Sequence, residues 1–113
     1  MREIKFRAWD NITERYYYNV QNTHDENIGD SFKNVLDNDD LAIEQYTSMT
    51  DADGVEIWEG DLLKYFDKNV IVGFVEYDEA HGEYSCGDDS LYESTRDCIV
   101  IGNVHENADL LEV

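Results

Sequence analysis

Basic side chains are scarce in this sequence, cysteines are few, and there is no long apolar run. Eight lysines and arginines stand against 27 aspartates and glutamates in 113 residues, a net charge of −19. Such a field repels nucleic-acid phosphates and anionic membranes and attracts basic proteins. It bears on association, not on fold. The deficit is uneven. Residues 1–20 hold four basic and three acidic side chains, net +1, so the remainder carries −20.

Cys86 and Cys98 lack the CxxC spacing of a metal or redox motif. They are expected to be reduced, buried thiols, with a disulfide between them as the alternative. No apolar run approaches the ~20 residues a membrane span needs. The opening residues alternate apolar with charged and lack the apolar stretch of a secretion signal. A soluble protein is expected. No G-x-S-x-G, phosphate-binding glycine loop or dinucleotide fingerprint occurs.

What is present is a series of short strand patterns separated by turn residues. "REIKFRAW" (2–9) places Ile4, Phe6 and Ala8 on one face and Trp9 on the other. "DNIT" turns, and "ERYYYNV" (14–20) returns with Tyr16 and Tyr18 on one side and Tyr17 on the other. In this reading Trp9 and Tyr17 share a face opposite Ile4, Phe6, Tyr16 and Tyr18. Residues 21–40 are polar and acidic, with a short helix expected after Asp30 or Ser31 as N-cap.

Strands are expected at 41–49, 55–58, 61–66, 70–78, 83–86 and 97–104. Gly54 closes the "DADG" turn, and Glu59-Gly60-Asp61 turns a corner between strands. Gly73 inside a strand marks a bulge or a close backbone approach. "DCIVIGNV" (97–104) is apolar on both faces and should be central and buried. A C-terminal helix capped by Asn107 should pack Leu110 and Leu111 inward. The fold class is mainly β, α+β at most. An N-terminal hairpin (1–20) and the acidic segment (21–40) precede a small antiparallel SH3-like barrel within one domain.

The residues that could carry chemistry have plainer explanations. An EF-type calcium loop aligned on Asp51, Asp53 and Gly54 puts Met49 and Gly60 where ligands belong, so a turn explains these residues better. His81 lies near Asp78, Glu79 and Glu83, and His24 beside Asp25 and Glu26, neighbours expected by chance in so acidic a chain. No pair of carboxylates is marked out for acid–base work. The expectation is no catalytic residues, no cofactor and no metal site, hence no enzyme.

Three segments carry a resemblance: "REIKFRAWD" (2–10), "QYTSMTDADGVEIWEGDLLKY" (45–65) and "VIGNVHENADLLEV" (100–113). In this order they resemble the YopX family of phage and prophage proteins of low-GC Gram-positive bacteria. Residues 21–40 correspond to that family's variable region. Ser48 stands where the family usually has glycine and Ala108 where it usually has proline. Thr50, Ala52 and Val55 occupy places it often fills with lysine. The resemblance implies a phage-encoded protein in the bacterial cytoplasm and brings no catalytic residue with it.

Two functions compete. One is a non-catalytic interaction module binding a basic host or phage protein, without direct nucleic-acid or membrane contact. Trp9, Tyr17 and Trp58 are its candidate interaction residues, and homo-oligomers through the hairpin would follow if both hairpin faces are covered. The other is an acidic nucleic-acid mimic, which requires the carboxylates to form an ordered stripe. A weak enzyme or metal protein is the third reading, and a buried histidine–carboxylate cluster would revive it.

Overall fold

The computed structural model describes residues 3–22, 29, 31–68 and 70–111. Strand accounts for 47% of the chain against 16% helix, which settles the class as mainly β. There are two antiparallel sheets, one of them curled into a half-barrel. The chain divides into two compact units, Met1–Tyr46 and Thr47–Val113.

In the first unit β1 (Phe6–Asp10) and β2 (Arg15–Tyr18) form the expected hairpin, and β1 also pairs with β3 (Leu41–Thr50). The turn is written in the sequence. Asp10 Oδ1 accepts the backbone N–H groups of Ile12 (2.8 Å) and Thr13 (3.3 Å), and the first of these bonds holds the Asp10 carboxyl below its usual range. Ser31 is the N-cap of α1 (Phe32–Leu36), its hydroxyl accepting from Asn34 N–H. Asp30, the alternative cap, lies outside the described residues. Ala8, Val20 and Val35 make the core, with Phe6, Tyr17, Phe32, Leu41 and Ile43 packed against them.

The hairpin register overturns one expectation. Asp10 pairs with Arg15, which sets Trp9 opposite Tyr16 and Ala8 opposite Tyr17. Trp9 therefore shares its face with Tyr16 and Tyr18, and Tyr17 belongs to the core face with Ala8 and Phe6. On the Trp9 face Arg7 donates to Glu44 Oε1 (2.8 Å), and its guanidinium lies 4.1 Å from the centre of the Tyr16 ring. Tyr16 donates to the same oxygen at 2.9 Å.

The second unit takes the end of β3, then β4 (Glu56–Trp58), β5 (Asp61–Tyr65), β6 (Ile71–Asp78), β7 (Glu83–Cys86), β8 (Asp89–Ser90), α2 (Leu91–Ser94) and β9 (Cys98–Asn103). A five-stranded sheet runs in the order β8-β7-β6-β5-β9. Its inward side chains join Ile57 and Leu91 in a core of Leu63, Val75, Tyr84, Cys86 and Cys98. Gly73 fulfils both of its expected roles. Leu63 opposes Gly73 while Lys64 opposes Ile71, so Val72 is the extra residue of a bulge. A side chain at Gly73 would also come within 2.9 Å of the Gly87 backbone.

Three expectations are corrected here. β9 is the edge of the sheet, not its centre, and only Cys98 in it is fully buried. Its apolar run fits an edge because that edge is sheathed: Asp51 Oδ2 accepts Val100 N–H (2.9 Å), and Cys98 C=O accepts from Ala52 N–H (2.9 Å). The C-terminal helix is a 3-10 turn, Ala108–Leu111, too short to have an inward face; Leu110 is half-buried and Leu111 exposed. Asn107 does not cap it through its side chain, which accepts from Asn103 N–H instead. Residues 87–96, which fall between the expected strands 83–86 and 97–104, contain β8 and lead straight into α2, a helix too short for its periodicity to show.

Ser48 sits inside β3 with φ +68°, the left-handed region that a side chain disfavours. The Ser48→Gly variant is expected to be more stable by about 1 kcal/mol in urea unfolding, because the strain relieved exceeds the added chain entropy. An unchanged midpoint would show that this backbone costs nothing.

Candidate functional site

The residues singled out in 45–65 turn out to build the second unit. Gly54 takes φ +82° at the turn. Asp51 gathers the loop: Oδ1 accepts from Asp53 and Val55 N–H (2.9 Å each), while Oδ2 holds β9. At the corner, Asp61 Oδ2 accepts Trp58 N–H at 2.8 Å, and Gly60, at φ +87°, donates to Val75 C=O and accepts from Val104 N–H. Glu59 is the remaining member of that corner. The carboxylates of Asp51 and Asp61 and these glycines are committed to the backbone, which is structural work.

Trp9 and Trp58 are each only 5% exposed, and Tyr17 packs in the core of the first unit beneath Arg15. Trp9 and Trp58 therefore each offer little open surface. Cys86 and Cys98 are free and buried. Burial pushes the Cys86 thiol up to about 12 and raises Cys98 as well, the opposite of what a nucleophilic thiol needs. Among the described residues no three histidines, cysteines or carboxylates are grouped to hold a metal ion. His24 lies outside them.

The feature that stands open is on the solvent side of β6, β7 and β8. Along β6 Val75 points into the core, so Glu76 and Asp78 point out; along β7 Tyr84 and Cys86 point in, so Glu83 and Ser85 point out. The register opposes Glu76 to Ser85 and Asp78 to Glu83. A groove of about 760 Å³ results, lined by the carboxylates of Glu76, Asp78, Glu79, Glu83, Asp88 and Asp89. Tyr77 and His81 share its wall, and no lysine or arginine does.

Asp78 and Glu83 are like charges directly across a strand pair, an arrangement that destabilises a sheet. The local turn softens it. Asp78 Oδ1 accepts from Ala80 and His81 N–H, Gly82 closes the turn at φ +64°, and His81 Nδ1 lies 2.7 Å from Asp78 Oδ2. The His81 bond lowers the Asp78 carboxyl below its usual range. In return the Asp78 hydrogen bond and charge, with the Glu83 charge behind them, raise His81 above 6.5. The groove is thus a negative trough whose one basic side chain is a histidine. Sequence had placed His81 near these carboxylates; what it could not supply was the register that brings Glu76, Ser85 and the β8 turn to the same wall.

The family model described as YopX protein matches residues 5–112. The chain belongs to the YopX family. The crystal structure of protein EF1440 from Enterococcus faecalis is similar to this YopX-family chain, with a TM-score of 0.69 and 25% sequence identity over 98% of this chain and 99% of that one. No curated protein matches the chain. The mainly β architecture and the corner built on Glu59-Gly60-Asp61 are thus those of a YopX-family chain. No described helix is long and apolar enough to cross a membrane.

Proposed function

We propose that this YopX-family protein is a phage- or prophage-encoded accessory protein, a non-catalytic module that binds a basic host or phage protein in the bacterial cytoplasm. The observation that carries this reading is the groove on β6–β8: six carboxylates, one histidine, and no lysine or arginine in its lining. Opposing Asp78 to Glu83 costs the free protein stability, and a lysine or arginine from a partner would relieve that cost. The buried thiols, with raised pKa, offer no ready nucleophile. The groove's carboxylates come from three strands and two turns, an arrangement that suits a binding trough better than a phosphate-like row, so the mimic is the lesser reading.

The test is capture of basic proteins from a host lysate at low and high salt, by the wild type and by a Glu76→Gln/Glu83→Gln/Asp89→Asn variant. The wild type should retain a basic partner at low salt and release it at high salt, and the variant should bind it about tenfold more weakly. Equal capture by the two proteins, or capture indifferent to salt, would remove the groove from the function.

A further inference from the structure

We propose that His81 is a proton-controlled occupant of the groove: charged, it holds Asp78 and offsets the Asp78–Glu83 repulsion, and neutral, it yields both carboxylates to a lysine or arginine of the partner, so that binding tightens as His81 loses its proton. This rests on the groove being the site for a basic partner. The geometry carries the inference. His81 belongs to the turn joining the two strands whose opposed carboxylates it faces, and its ring is 2.7 Å from one of them. It is also mostly exposed, with a side-chain exposure of 73%, so a partner can displace it.

The charged groups of the site come from every element that lines it. Glu76, Tyr77 and Asp78 are on β6, Glu79 on the turn, Glu83 on β7, Asp88 at the β7–β8 connection and Asp89 on β8. Histidine is the side-chain type that ordinarily changes charge near neutral pH, and His81 is the histidine lining the groove. The sign follows. His81 is raised by its partners, so its charge is present at the acid end and lost toward the alkaline end. A bound cation competes with the ring proton, and by reciprocity it lowers the pH at which His81 titrates.

The experiment measures binding of a fluorescently labelled oligo-arginine peptide to the full chain at low salt, together with the His81 ring resonances. The wild type should bind about two- to fivefold tighter near pH 9 than near pH 6. His81→Gln should bind at both pH values as tightly as the wild type does at the higher one. Saturating peptide should move the His81 titration to lower pH, and His105→Gln should keep the wild-type dependence. Wild-type binding that is flat with pH, or a dependence that survives in His81→Gln, overturns this inference and leaves the basic-partner reading standing. Absence of peptide binding at any pH overturns both.

Discussion

Asp51→Ala is expected to destabilise the protein by about 3 kcal/mol, because the side chain is buried and several backbone donors depend on it. Three backbone N–H groups converge on this side chain, from Asp53 and Val55 in its own turn and from Val100 on β9. Hydrogen bonds to a charged acceptor contribute about 1.5–3 kcal/mol each, and they do not add fully because the alanine loop would let water reach some of the donors. Asp51→Asn separates the two parts of the effect. Its carbonyl can still serve the turn, while its amide would face the Val100 N–H donor to donor. Urea unfolding should place it between wild type and Asp51→Ala. If Asp51→Ala unfolds with the wild-type midpoint, the carboxylate does not hold β9.

Gly87→Ala should cost a similar amount, about 3 kcal/mol, for a steric reason. Gly87 has φ +62°, and a Cβ there would overlap the Val72 carbonyl oxygen in the bulge of β6. That obstacle is backbone and cannot rotate aside. Gly54→Ala is the control: its φ is +82°, but nothing lies within 4 Å of the position its Cβ would take. It should lose only about 1 kcal/mol, the cost of the left-handed backbone alone. Equal losses in the two variants would show that the contact between the β7–β8 turn and Val72 is not tight.

The local features of the fold were legible because their causes are local. The Asp10 turn, the Ser31 cap and the Gly54 turn all follow from residues within a few positions of one another, and Gly73 by itself marked the place of a bulge that the β5–β6 pairing completes. The misreadings share the opposite property. Placing β9 at the centre ignored strand order, and the bond that sheathes its edge joins residues 49 positions apart. Pairing Trp9 with Tyr17 failed by one residue of register, enough to move a side chain to the other face. Ser48 was visible as a departure from the family's glycine; the positive φ supplies its meaning. The groove was half legible. Its carboxylates and His81 are close in sequence, but the opposition of Asp78 to Glu83 needs the β6–β7 pairing.

The sheathing of β9 restricts how the second unit can meet other chains. One flank of the five-stranded sheet has its main chain taken up by residues 51 and 52, and the other ends in β8, only two residues long before α2 begins. Among the described residues, both features shorten the open main chain on which a foreign strand could extend the sheet. A partner of the proposed kind would be read mainly by side chains, and carboxylate side chains at that. Such recognition is tolerant of the partner's sequence and depends on where its cations fall. It suits a protein that must engage a class of surfaces rather than one peptide.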